Sequence, residues 1–157
     1  MKQRFTERAR VTFFIAPHEA GRLGYDAVAP EHILLGLISE QHRSNVALHL
    51  LIMMGVSPGD IREEVELQLR QGEAHDAIDL RLDPSARKVI DSACREAKFL
   101  NNKYLGTQHL LLGLLHESEG LSARVLAQSG ITLERVRAEV RTLQSNLDES
   151  VLQEASE

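Results

Sequence analysis

The sequence predicts an all-α protein: eight helices in two four-helix repeats related by a pseudo-twofold axis. Three observations lead there. Ala29-Pro30-Glu31-His32-Ile33-Leu34-Leu35-Gly36-Leu37 recurs as Gly106-Thr107-Gln108-His109-Leu110-Leu111-Leu112-Gly113-Leu114, at a constant offset of 77 residues. A duplication of that length marks two copies of one supersecondary unit. Apolar residues also recur at spacings of three and four, the period of a helix face, and no stretch alternates as a strand would.

Each helix has local signals. Thr6 is the expected N-cap of the first, with Glu7 in the first turn and an apolar face of Phe5, Ala9, Phe13, Ala16, Ala20 and Leu23. Pro17 removes a backbone hydrogen bond there, which predicts a kink near Phe13–Pro17 or a restart. Pro30 suits a first helical position, opening a short apolar helix to about Glu40. Val46 to Met54 is the third helix, closed by Gly55. Ser57-Pro58-Gly59-Asp60 opens the fourth, carrying Ile61, Val65, Leu67 and Leu69.

The second repeat follows the same order. Asp83-Pro84 starts a helix through Ala86, Val89, Ile90, Ala93, Ala97 and Leu100, and Thr107 is the expected cap of the short helix. Leu121 to Ser129 ends at Gly130, and Thr132 caps a last helix with Leu133, Val136, Val140 and Leu143. From Gly55 to Gly130 the offset falls to 75, so the first repeat carries two extra residues in a loop. The expected organisation is one domain over 1–147, with repeats over about 5–71 and 82–147 and a linker over 72–81. The acidic tail 148–157 is expected to be disordered.

Composition narrows the function classes. The 157 residues carry a formal charge of −5, with 43% hydrophobic and 26% charged residues. That balance argues against a nucleic-acid binder. A single cysteine, Cys94, excludes an internal disulfide and points to a reducing compartment. No signal peptide or bilayer-spanning run is visible, so a cytoplasmic protein without membrane association is expected.

The chemistry-bearing residues form no catalytic pattern. His32 and His109 occupy equivalent helix starts, and the simplest role is structural, one ring nitrogen donating to a loop carbonyl. No histidine pair has zinc-helix spacing, so no metal site is expected. Cys94 takes the place of Pro17 and reads as an inert thiol, lacking a base or oxyanion site. Phosphate-binding glycine motifs are absent, and paired carboxylates such as Glu63-Glu64 read as solvated surface.

Differences between the copies are more informative. Val11, Phe14 and Ile15 lie off the main apolar face, where the second copy has Lys88, Asp91 and Ser92. Ile52, Met53 and Met54 stand opposite Ala127, Gln128 and Ser129. Either these side chains fill the interface between the halves, or they form an exposed apolar docking strip.

Phe5-Thr6-Glu7-Arg8-Ala9-Arg10, the two histidine segments and both glycine-terminated third helices resemble the double repeat of the Clp amino-terminal domain. The ClpC-type ATP-dependent chaperones are the nearest match, over about Arg4 to Leu143. The resemblance implies a non-catalytic module, with no cofactor, that docks adaptors and substrates. In that family it is appended to an AAA+ ATPase that feeds the ClpP protease.

It also implies a phosphoarginine site, from a threonine at the first helix start and a glutamate in the short helix. Thr6 and Glu31 match; the second copy has Asp83, which repels phosphate, and Gln108, which lacks the charge. A further implied site is a groove for cyclic peptide antibiotics between the two first helices. By position it includes Lys2, Arg10, Phe13, Phe14, Leu82, Arg87, Ile90 and Asp91. No ATPase module is present in the sequence, which suits a free-standing N-domain protein or an excised piece, the former being expected. The expected function is recruitment or regulation within the Clp system, partnered by a Clp ATPase, ClpP, adaptors or substrates. The alternative is a decoy that sequesters cyclic peptides or phosphoarginine-marked peptides.

Overall fold

The computed structural model describes residues 4–42, 44–69, 72–75 and 80–156, the side chains of 147–156 excepted. Among them are α1 Glu7–Arg22, α2 Pro30–Leu37, α3 Val46–Met53, α4 Pro58–Gln68, α5 Pro84–Phe99, α6 Thr107–His116, α7 Leu121–Gln128 and α8 Leu133–Ser156. The starts obey their caps. Thr6 Oγ1 accepts from the Ala9 amide at 3.1 Å, and Asp83 Oδ1 from Ala86 at 2.7 Å. Gly55 and Gly130 stop α3 and α7 with φ of +85° and +79°, a conformation only glycine adopts without strain.

Three expectations need revision. α1 continues unbroken across Pro17, held in place by fully buried Ala16 and Ala20 on either side of it. Thr107 is the first residue inside α6, not its cap; its hydroxyl instead accepts from the Ala47 amide of α3 at 3.1 Å. α8 runs to Ser156, through the stretch expected to be disordered, and from Leu133 onward it meets no glycine or proline. On α4, Ile61 and Val65 are buried as expected, while Leu67 faces solvent.

A small parallel pairing joins the repeats, and its pieces are too short to leave a sequence signal. Strand β1 (Arg4–Phe5) pairs with β2 (Tyr104–Leu105), and an isolated bridge joins Val28 to Leu82. The two pairings are equivalent under the 77-residue offset. The Thr6 amide donates to Leu105 O at 2.9 Å, and the Asp83 amide donates to Val28 O at 2.9 Å. The residues leading into each first helix are thus bonded to the other repeat.

Inside each repeat the first and second helices pack closely at a glycine. A Cβ on Gly113 would lie 2.3 Å from Val89 O, and one on Gly36 would lie 3.1 Å from Thr12 O. A duplicated ion pair then ties the first helix to the fourth. Arg62 on α4 donates twice to buried Glu19, at 3.1 Å each, and Arg22 is its second partner, at 2.7 Å. Burial alone would raise the Glu19 pKa, but the guanidinium hydrogen bonds outweigh it and hold the carboxyl below its usual value. Glu96 on α5 is held in the same way by Arg137 of α8, with His116 Nε2 at 2.6 Å.

His32 and His109 are structural, with the hydrogen-bond direction reversed from that expected. Nδ1 of each ring accepts the backbone amide three residues earlier, from Ala29 at 2.9 Å and Gly106 at 2.8 Å. A ring accepting at Nδ1 carries its proton on Nε2, which in His109 meets Asn102 Oδ1 at 2.8 Å. At the position equivalent to Asn102, His32 has Tyr25, whose ring packs edge-on with centroids 4.7 Å apart, and His32 Nε2 has no hydrogen-bond partner among the described residues. Burial lowers both pKa values to about 4.

Two outcomes follow for stability. Alanine gains about 1 kcal/mol of helix propensity over glycine, while overpacking costs about 1–3 kcal/mol. Gly36→Ala is therefore expected within about 1 kcal/mol of the parent in urea unfolding, and Gly113→Ala about 2 kcal/mol less stable; equal losses would contradict the packing difference. The histidine pKa values are depressed from 6.5 to about 4. Their stabilisation is complete above pH 6.5 and is lost as pH falls toward 4, on the order of 3 kcal/mol per ring. Urea midpoints measured from pH 7.5 to 4.5 should fall along that window, and His109→Gln should flatten the fall.

Candidate functional site

Three hollows bring the sequence candidates together. The first lies between α1 and α5, about 410 Å³ in volume, walled by Arg10, Phe13, Phe14, Leu82 and Ile90 of the expected groove. Phe5, Ala16, Pro17, Val28 and Leu80 complete it. Phe5 and Leu82, Phe13 and Ile90 are equivalent pairs, so the hollow sits on the pseudo-twofold axis. Arg87 and Asp91 are exposed but do not wall it, and Lys2 lies outside the described residues.

Of the apolar strip expected on α1, only Phe14 is exposed, and Val11 is half-buried. Phe14 is 74% exposed, whereas Ile15 is only 8% exposed and belongs to the core. The inward face of α1 is wide because buried Thr12 approaches Gly36, and Ile15 lies one turn beyond Thr12. Ile52 and Met53 face solvent, at 55% and 60% exposed, so they do not fill the interface between the halves. Met54 packs partly against the core.

The other two hollows are equivalent to one another, and each is built from both repeats. One, about 770 Å³, lies over the start of α1 and brings Thr6 beside Thr107 and Gln108 of α6. Its floor is Val46, Leu48 and Ile52 of α3 with Val140 and Leu143 of α8, and Arg8 stands at its edge. The other, about 160 Å³, lies over the start of α5 and brings Asp83 beside Glu31 of α2, with Glu117, Ser85 and Ser122.

The expected pairing of Thr6 with Glu31 therefore does not form; Thr6 meets Gln108, and Asp83 meets Glu31. Crossed pairing of the leading strands is the cause, since it seats each first-helix start against the other repeat's short helix. The electrostatics agree. Burial raises the Glu31 pKa, and the nearby Asp83 charge raises it further.

Cys94 is half-buried, and burial together with Asp91 pushes its thiol pKa up, opposite to an activated nucleophile. Among the described residues no cluster of three metal-ligating side chains forms. No helix among them is long and apolar enough to cross a membrane.

Comparison with known proteins fits this geometry. A ClpA-homologue ATP-binding subunit of the Clp protease from Guillardia theta is 42% identical over 140 residues, 89% of this chain and 17% of its own length. Chaperone protein ClpC1, chloroplastic, of rice is 39% identical over 151 residues, 96% of this chain and 16% of the relative. The chain thus spans about a sixth of these curated relatives. Among solved structures, the N-terminal domain of the chaperone ClpD from Arabidopsis thaliana superposes with a TM-score of 0.71 and 26% identity, covering 90% of this chain and 95% of that one. The N-domain of ClpV from Vibrio cholerae gives 0.75 at 14% identity, over 90% and 86%, and shares the fold. With residues 4–98 and 81–156 each matching the Clp repeat (R) N-terminal domain, the two helical repeats belong to that family.

Proposed function

We propose that this chain is a non-catalytic docking module of the Clp proteolytic system, which holds adaptor or substrate proteins for a Clp ATPase and its ClpP protease. The observation that carries this reading is the hollow between α1 and α5. It combines an exposed aromatic, Phe14, with apolar walls from both repeats and one cation, Arg10, at its edge. An apolar hollow with a few polar groups at its rim is the usual form of a ligand or peptide site. Aromatic and arginine side chains are also the residue types that dominate binding energy at protein interfaces.

The same hollow favours a second reading. Its apolar walls suit a compact cyclic peptide, so the module would act as a decoy for such compounds. The phosphoarginine reading now rests on the hollow over α1 alone. There the helix start offers amides, and the described lining residues include no carboxylate.

Phe14→Asp separates these readings from a purely structural role. Phe14 is 74% exposed, so stability should change by less than about 0.5 kcal/mol. Capture of a Clp ATPase or ClpP from the native cell, and calorimetric binding of an apolar cyclic peptide, should both weaken at least about tenfold. Loss of peptide binding alone, with neither Clp protein captured by the parent chain, would favour the decoy. Unchanged capture and unchanged peptide binding would remove the hollow from both readings.

A further inference from the structure

A fourth hollow lies between the last turns of α5 and the first half of α8, and it shares no lining residue with the other three. We infer that it seats an acidic segment of a protein partner, with an apolar side chain on Phe99 and carboxylates on Arg95 and Arg141; only the source of that segment rests on the docking reading above.

The hollow measures about 550 Å³, and three arginines stand around one phenyl ring. Phe99 is 68% exposed, and the Arg141 guanidinium lies 5.4 Å over its centre. Glu96, which also takes His116, holds the Arg137 guanidinium. Arg95 donates to Ser92 Oγ at 3.1 Å on its own helix. Among the described residues neither Arg95 nor Arg141 makes an ion pair, and Asp91, one turn before Arg95, does not reach it. All three guanidiniums are thus placed before a ligand arrives, which lowers the ordering cost of binding, and two of them keep their charge.

Exposed arginines are ordinary, but the first repeat shows that this surface need not be open. Its equivalent positions hold His18, Arg22, Arg62, Glu63 and Glu66 around Glu19, and there both arginines are paired with carboxylates. In the second repeat Arg95 replaces His18, Phe99 replaces Arg22, Ala138 replaces Glu63 and Arg141 replaces Glu66. Three glutamates against two arginines have become two glutamates, Glu96 and Glu134, against three arginines. The patch has changed sign on a chain whose formal charge is −5, and the small side chain of Ala138 leaves room beside the ring. Arginine and exposed aromatic side chains together are what dominate binding energy at protein interfaces.

Position decides the kind of anion. Phosphate sites gather free amides at a helix start, whereas Arg95 and Phe99 belong to the last turns of α5, where the helix dipole is negative. Glu134, two turns before Arg141 on α8, brings negative charge to the other end of the hollow. A compact dianion would be repelled by both. Separate carboxylates on either side of an apolar side chain avoid this, and a guanidinium fork matches a carboxylate in its plane. A nucleic acid would need a broad basic field, which a chain of charge −5 lacks.

The test uses the whole chain, calorimetry and backbone NMR shifts. The probe is an end-blocked peptide with one phenylalanine between two pairs of glutamates. It is compared with a counterpart carrying glutamine for glutamate, a counterpart carrying serine for phenylalanine, and inorganic phosphate. The glutamate peptide is expected to shift Arg95, Phe99 and Arg141, and to bind at least about tenfold more tightly than either counterpart, with affinity falling in salt. Phe99→Arg combined with Arg141→Glu installs the pair that Arg22 and Glu66 make in the first repeat, so the chain should fold normally. That variant should weaken the peptide at least about tenfold and leave cyclic-peptide shifts at Phe13 and Phe14 unchanged. Arg95→Gln alone, an exposed change, should weaken it about threefold. Parity of either counterpart, or full affinity in both variants, would overturn the proposal, as would displacement of the peptide by millimolar phosphate. If Phe99 stays silent while a cyclic peptide shifts Phe14, this inference fails and the docking reading stands. If the peptide shifts Phe99 and the chain captures no Clp protein, the surface stands and its Clp source fails; silence at both sites would remove both.

Discussion

The arrangement depends on the crossed pairing of the segments that lead into the two first helices. Two short parallel contacts, Arg4–Phe5 with Tyr104–Leu105 and Val28 with Leu82, supply few hydrogen bonds. Their effect is positional. Because Thr6 bonds to Leu105 and Asp83 to Val28, the start of each first helix is fixed against the short helix of the other repeat. A repeat of about 70 residues buries too little surface to be comfortable alone. Here neither repeat possesses a complete cleft or a complete set of backbone partners without the other. The hollow on the twofold axis and the two lateral hollows are all products of that exchange.

Within each repeat, the frame is held by a close glycine contact and a buried glutamate, and the latter shows how the copies diverged. Glu19 with Arg62 and Glu96 with Arg137 are equivalent, and removing either partner of a buried pair strands the other charge. Around this fixed element the surroundings changed. In the first repeat Arg22 bridges Glu19 to Glu66. At the equivalent positions the second has Phe99 and Arg141, whose guanidinium lies 5.4 Å over the ring. An ion pair in one copy is thus a cation–π contact in the other. Both join the first helix of a repeat to its fourth.

The helical frame was legible because its signals are local. Caps at Thr6, Ser57 and Asp83, stops at Gly55 and Gly130, and the three-four spacing act within one or two turns. What escaped were relations between distant segments. Two-residue strands have no periodicity to detect, so the crossing of Thr6 to Gln108 was invisible although all four residues at the helix starts were identified. Ile15 shows the same limit, since its burial depends on how closely Gly36 lets α2 approach α1. Nothing beside Glu19 or Glu96 in the sequence marks them as interior, and only the arginines arriving from α4 and α8 make them so. Their identical placement at the 77-residue offset was an available signal.

Duplication also explains why the two lateral hollows could take opposite character at little structural cost. The backbone contacts that shape them involve amides and carbonyls, which no side-chain substitution removes unless proline intervenes. Threonine and aspartate both cap a helix, so Thr6 and Asp83 exchange charge without disturbing α1 or α5. Glutamate and glutamine have nearly one shape, so Glu31 and Gln108 do the same on the facing helix. At the third point of exchange, Pro30 opposite Thr107, the change does alter a bond: the hydroxyl that secures α3 through Ala47 has no counterpart, and Ser122 is left without a mate. A frame held by backbone pairing and buried ion pairs leaves the walls of each cleft to vary independently, and these two have diverged in both charge and size.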